Sequence, residues 1–296
     1  MRQTTTFSIL VVAMIKYRIG YTTTHVAVSK FPGGEVKVDI NVGSEPPSKA
    51  IESLRIDASL QTSDDIIALL LTVDALRRHY PRAEMDLWMP YMPYARQDRP
   101  CVNGEALSMA VMGNLINSCG FNTVLTLDAH SDVAPAVIKN CENMPQSNIF
   151  KKIVDNFADY YIVAPDAGAY KKAHKLASYL GAKGVICANK VRNVATGKIE
   201  DTVVSDDVEG LNLLVADDIC DGGRTFTELA TLLRAKGCAA LKLVVTHGLF
   251  TKGLEVLTDE GMYDKVYTTN SYHSTAAGNT DQFGMVNEKV EWIAVV

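Results

Sequence analysis

Short β-rich apolar runs alternate with helical stripes along this chain, and the alternation predicts its elements. FSILVVAMI, from Phe7 to Ile15, is too short to cross a membrane and lacks a small-residue cleavage site, so it reads as a buried first strand. Ile66, Leu69, Leu70, Val73 and Leu76 recur at helical spacing, with Ser63, Asp64 and Asp65 before them as capping candidates and Pro81 as the stop. DLWMPYMPYARQDR follows as strand and loop. Leu107, Ala110, Val111, Leu115 and Ile116 mark a helix ending near Gly120, and NTVLTLDAH is the next strand. After the polar stretch NCENMPQS the grammar restarts: a helix around 148–157, strand YYIVAP, helix 169–180, strands GVICAN and LNLLVADD, helix 225–236 and strand ALKLVVTH. Such alternation predicts an α/β protein of two units, 1–143 and 144–296, each a largely parallel sheet flanked by helices. Ligands of these sheets collect at the carboxyl ends of strands. Asp128 and His130, Asp166, Lys190 and Arg192, and Asp217 and Asp218 all fall at such ends.

Composition narrows the class without changing that picture. With 47% hydrophobic and 21% charged residues, 296 residues are enough to bury two cores. The 29 basic residues against 34 acidic ones leave a net charge of -5, so nothing in the overall balance calls for a nucleic-acid partner. Six widely spaced cysteines, with no CxxC pair, read as reduced thiols of a cytosolic protein.

LVADDICDGGRTFT, residues 214–227, carries the most chemistry. A strand ends in two acids, a turn contains Gly222 and Gly223, and a helix follows. Freed backbone N–H groups and the positive end of that helix suit a phosphate, while Asp217 and Asp218 suit the vicinal hydroxyls of a ribose. Read alone, DDxxDGG is also compatible with a capped turn and solvated acids. His130 alone is more often a structural histidine, NKVRNVATGKIE a solvated loop between two strands, and RQDR a surface ion pair.

Taken together, the motifs resemble one family. The DDICDGG stretch is similar to the ribose-phosphate signature shared by phosphoribosyltransferases and phosphoribosyl pyrophosphate synthetases. PYMPYARQDR at 90–99, KFPGGEVKV at 30–38 and LTLDAH at 125–130 resemble the ATP-binding segment, adenine turn and metal-binding strand end of the synthetases. APDAG, NKVR and VVTHGLF follow in family order, and the likeness covers about residues 30–270. The resemblance implies two phosphoribosyltransferase-type domains, the first binding ATP and the second a ribose phosphate, with the active site in the cleft between them. It implies ATP-dependent diphosphoryl transfer to the anomeric hydroxyl of ribose 5-phosphate, a step of nucleotide biosynthesis, with Mg²⁺ as cofactor and a homo-oligomeric assembly. The implied ATP residues are Phe31, Glu35, Arg96 and Gln97, and the implied metal ligands are His130 and Asp166, with Asp128 orienting His130. Lys190 and Arg192 match the loop cations that close over the transferring group. Asp217, Asp218, Asp221, Gly222, Gly223, Arg224 and Thr225 match the acceptor site.

The sequence departs from the family at particular positions. Gly33 stands where the adenine turn usually has aspartate, and Val191 where a basic residue is common. The usual D-T-G-G-T loop is Asp221, Gly222, Gly223, Arg224, Thr225, with glycine for threonine and arginine for glycine. Two acceptors therefore stay open: ribose 5-phosphate, and a larger 5-substituted ribose such as ADP-ribose whose extra phosphate Arg224 would meet. A phosphoribosyltransferase shares DDICDGG but has no use for PYMPYARQDR. A non-catalytic regulatory homologue is expected to lose the loop lysine or a metal ligand, and all are present.

Overall fold

The computed structural model describes residues 9–10, 14–151, 157–192, 199–273, 280 and 286–295, with backbone alone at 9–10, 190–192 and 199–201. The chain divides into two compact units, the first running to Met144 and the second from Pro145 to Val295.

The first unit contains β1 (Ile9–Leu10), β2 (Met14–Ile19), β3 (Thr22–His25), β4 (Ala27–Lys30), β5 (Val36–Asp39), β6 (Ser53–Ser59), α1 (Ser63–His79), β7 (Glu84–Trp88), α2 (Ser108–Ser118), β8 (Thr123–Leu127), α3 (Val133–Val137) and β9 (Cys141–Met144). Its main sheet has the order β3-β2-β6-β7-β8-β9, parallel from β6 to β9 and antiparallel at β2 and β3. A smaller antiparallel sheet has the order β1-β4-β5. The apolar run from Phe7 thus serves two sheets rather than forming one strand, because Ile9 and Leu10 pair with β4 whereas Met14 onward pairs with β6. Ile15 and Tyr17 point into the core with Ile56, Leu87 and Val124. On the opposite face, Asp57 is fully buried and bound by Arg18 and Arg55, each at 2.7 Å.

Helix α1 begins one residue earlier than its sequence suggests. Thr62 is the N-cap, accepting from the Asp65 N–H, while the Asp65 carboxylate accepts from the Thr62 N–H at 2.7 Å, a reciprocal capping box. Helix α2 is rotated relative to the expected stripe. Met109, Met112, Gly113 and Ile116 are buried, and Leu107, Val111 and Leu115 are exposed.

The second unit contains α4 (Ser147–Phe150), β10 (Tyr160–Ala164), α5 (Tyr170–Leu180), β11 (Val185–Arg192), β12 (Ile199–Val204), β13 (Asn212–Cys220), α6 (Arg224–Ala235), β14 (Ala240–Gly248), α7 (Glu255–Thr258), β15 (Lys265–Thr269) and β16 (Val290–Ile293). The strand order is β12-β11-β10-β13-β14-β15-β16, parallel except at β12. Alternation along β13 splits its side chains between two cores. Leu213 and Val215 pack with Phe226, Leu229 and Leu233 of α6, whereas Leu214 and Ala216 pack with Ala173, Leu176 and Ala177 of α5. The sheet is therefore covered on both faces, and the carboxyl end of β13 opens where the acids and glycines follow.

Candidate active site

In the first unit the candidate ATP residues sit beyond parallel strand ends and on a hairpin. After β7 the chain anchors itself with buried Met89 and Met92, then turns through Tyr94 at φ 63°, where the Gln97 N–H donates to the Tyr94 carbonyl at 2.9 Å. This turn leaves the side chains of Arg96 and Gln97 exposed. The ion pair within RQDR joins Arg99 to Asp98 at 3.8 Å. Beyond the neighbouring strand β8, buried Asp128 donates its N–H to the Met144 carbonyl at 2.7 Å, and His130 emerges exposed. Phe31 and Glu35 close the β4–β5 hairpin, the Phe31 N–H donating to the Glu35 carbonyl at 2.8 Å, with both side chains exposed. Lys30 ties this hairpin to the start of α1 through Asp64 at 2.5 Å.

In the second unit, β10 and β13 are parallel neighbours, so Asp166, just past the end of β10, and Asp217 and Asp218, near the end of β13, share one end of the sheet. Asp166 accepts from the Ala169 N–H at 3.1 Å at the entry to α5. Alternation along β13 sends Asp218 to the α5 side, where Lys172 binds its carboxylate at 3.0 Å. Asp218 in turn donates its backbone N–H to Asp217 at 2.9 Å. Burial, followed by the adjacent Asp218 carboxylate, pushes the Asp217 carboxyl up to about 8; Asp166 adds to this and Lys172 opposes it. Lys172 was not apparent as a site residue from motifs. A signal was present: it lies three residues after Ala169 and four before Leu176, on the buried stripe of α5, where a lysine needs a partner.

The glycine turn follows. Gly223 is the N-cap of α6 with φ 77°, a left-handed conformation that glycine adopts without penalty. Its carbonyl accepts from Phe226 at 2.9 Å and Thr227 at 3.0 Å, starting a twelve-residue helix whose first-turn N–H groups have no acceptor within the helix itself. Asp221 is fixed by Thr251, whose hydroxyl donates to its carboxylate at 2.7 Å and whose N–H donates to its carbonyl at 3.1 Å. Thr225 is half-buried in the first turn. Arg224 turns outward: its side chain is 83% exposed and its Nε donates to Glu228 on the same helix at 2.7 Å.

Lys190 and Arg192 are not in a loop. Both belong to β11, Lys190 paired with Thr202 and Arg192 with Ile199 of the antiparallel β12, with a register shift between Val191 and Arg192. Their side chains, and residues 193–198, lie outside the described residues. No group of three or more metal-ligating side chains gathers among the described residues, and no described helix is long and apolar enough to cross a membrane. The donors do fit a hard divalent ion. Asp166 offers carboxylate oxygen just past the end of β10, and magnesium takes one or two carboxylates and keeps several waters rather than needing an all-protein cage.

Comparison with known proteins bears on the two units separately. Residues 8–120 match the family model described as the N-terminal domain of ribose phosphate pyrophosphokinase, and residues 134–286 match the phosphoribosyl transferase domain. The ribose-phosphate pyrophosphokinase of Granulibacter bethesdensis is 31% identical over 264 residues, covering 86% of this chain and 81% of the relative. That of Aquifex aeolicus is 31% identical over 268 residues with the same two coverages. Among solved structures, phosphoribosylpyrophosphate synthetase from Mycobacterium smegmatis superimposes with a TM-score of 0.74 at 22% identity, over 94% of this chain and 88% of that one, a likeness of fold. With both of its units matched and its relatives covered over most of their length, the chain belongs to the ribose-phosphate pyrophosphokinase family.

Proposed function

We propose that the protein transfers the β,γ-diphosphoryl group of ATP to the anomeric oxygen of ribose 5-phosphate. The anomeric oxygen bonds to the β-phosphorus, the bond from that phosphorus to the α,β-bridging oxygen breaks, and AMP leaves with that oxygen. The anomeric proton passes to solvent, and phosphoribosyl pyrophosphate is the product. The observation that carries this reading is the end of β13, where Asp217 and Asp218 precede the Gly222–Gly223 turn onto α6. The two acids suit vicinal ribose hydroxyls, and the turn's N–H groups suit a phosphate attached to the same sugar.

In this reading the first unit binds ATP, with Phe31 stacking on the adenine, Glu35 beside it, and Arg96 and Gln97 on the phosphates. The second unit holds the acceptor through Asp217, Asp218, Asp221, Gly222, Gly223 and Thr225. Mg²⁺ bound with ATP would supply neutralisation of the phosphate oxygens, and the side chains suited to a divalent ion are His130 at a strand end of the first unit and, in the second unit, Asp166. Lys190 and Arg192 act where negative charge develops on the transferring group. The pairing of Arg224 with Glu228 favours plain ribose 5-phosphate over ADP-ribose, since that arginine was the feature pointing to extra phosphate. The exposed stripe of Leu107, Val111 and Leu115 on α2 supports a homo-oligomer.

The test is AMP formation by the purified protein with Mg-ATP and either acceptor. The reading predicts one AMP per ribose 5-phosphate consumed and a much lower kcat/KM for ADP-ribose. AMP release that ignores ribose 5-phosphate would overturn it.

A further inference from the structure

The loop contains two glycines, and the backbone needs only one of them. Gly223 has φ 77°, whereas Gly222 is not in the left-handed region. What the missing side chain of Gly222 provides is therefore space, and the atoms occupying that space belong to Lys252. A Cβ built on Gly222 would lie 3.5 Å from Cδ and 3.6 Å from both Cγ and Cε of Lys252. The lysine's aliphatic stem thus runs beside the space that glycine leaves bare, and Nζ is bonded to Cε, 3.6 Å from where that Cβ would be.

The root of Lys252 is held as closely as its stem. Leu249 and Phe250 donate their N–H groups to the Cys220 carbonyl at 2.8 and 3.2 Å, and Thr251 holds Asp221 with both its N–H and its hydroxyl. The segment after β14 is in this way laced to the segment after β13. Among the described residues, Lys252 has no ion-pair partner, in contrast to Arg224 on its own helix and Lys172 on Asp218.

We infer that Lys252 is a specificity-determining cation for the acceptor's 5-phosphate, seated on Gly222 and delivering its ammonium to the turn from above. This inference rests on the acceptor reading of that turn. It accounts for both departures in the loop. A threonine at 222 would extend about 1.5 Å past Cβ into atoms only 3.5 Å away and would displace the lysine. Glycine admits the lysine, and Arg224 is left to pair outside.

The experiment compares wild type with Lys252→Ala, Lys252→Arg, Gly222→Thr and the Gly222→Thr/Lys252→Ala double variant. Two readouts are taken: steady-state kinetics with ribose 5-phosphate, and calorimetric titration with inorganic phosphate. Lys252→Ala is expected to raise the KM for ribose 5-phosphate by about ten- to a hundredfold. The KM for ATP and kcat should stay within about threefold, as for a contact made equally in ground and transition states. Lys252→Arg should retain most of the affinity. Gly222→Thr should reproduce the alanine variant, and the double variant should be no worse than either single one, since both remove the same contact. An unchanged acceptor KM in Lys252→Ala, or a double variant whose loss is the product of the single losses, would overturn the assignment. Should wild type release no AMP in response to ribose 5-phosphate, the proposed function fails separately. The phosphate titration still decides the lysine's role, a tenfold weaker titration in Lys252→Ala sustaining it and an equal one refuting it.

Discussion

Lys172→Met tests the electrostatics of the acid pair. In the wild type, Lys172 holds the buried Asp218 carboxylate at 3.0 Å, with the two side chains 34% and 7% exposed. A hydrogen bond to a charged group contributes about 1.5–3 kcal/mol. One third of the lysine faces water, which can partly replace it, so the expected loss is about 1–2 kcal/mol near pH 8. Lys172 also opposes the rise of the Asp217 carboxyl, so its removal lets that group hold its proton to higher pH and steepens the fall of stability as pH rises. The wild type has its own slope from Asp217. Its folded pKa is raised to about 8, so from about pH 4 to 8 the native state binds more protons than the unfolded chain, and stability falls as pH rises through that window. Urea denaturation at pH 4.5, 6 and 8 should show the variant's deficit growing with pH, together with roughly a tenfold higher KM for ribose 5-phosphate at pH 8. Equal stability at pH 8, or a deficit independent of pH, would refute the assignment of Lys172 as the cation that offsets negative charge in this pair.

Gly223→Ala should destabilise the protein by about 1–2 kcal/mol, because a side chain at φ 77° is strained and its Cβ would lie 3.1 Å from Val256, whereas Gly222→Ala should shift stability by less than about 0.5 kcal/mol; thermal melts distinguish them. Arg224→Ala should leave the KM for ribose 5-phosphate within about twofold in steady-state assays; a tenfold rise would show that the guanidinium leaves Glu228 for the ligand. Lys190→Ala and Arg192→Ala should each lower kcat by on the order of 10² with little change in the KM for ATP, and a double variant turning over at near-normal rate would remove both from the mechanism.

The alternation of strands and helices was legible because most elements bury one side and expose the other. Helix α2 shows where that signal fails. SMAVMGNLINS is apolar on more than one face, so both the Leu107–Val111–Leu115 stripe and the Met109–Met112–Ile116 stripe satisfy helical spacing. The choice is made by Gly113, whose added Cβ would meet Val137 of α3 at 2.8 Å, a close approach that only the fold brings about. GVICAN was legible as a strand, but the continuation of β11 to Arg192 and its partner β12 were hidden for a different reason. These stretches carry charged and amide residues that read as loop, yet antiparallel backbone pairing does not depend on side-chain polarity. At the site, the acids, the glycines and the histidine were visible as motifs. Lys172 and Thr251 were not, because their roles come from strand alternation and from the meeting of two loops 30 residues apart. Arg224 was visible as a departure, but its direction was not, since Glu228 at helical spacing captures it.

The central claim is attack on the β-phosphorus of ATP, and ATP labelled with ³²P at the β-position tests it most directly. With ribose 5-phosphate and Mg²⁺, the account predicts that the label moves wholly into the sugar product while the AMP released is unlabelled. Label retained in ADP would mean that only the γ-phosphoryl group moves, and label released as inorganic phosphate or diphosphate without a sugar product would mean hydrolysis; either result contradicts the account.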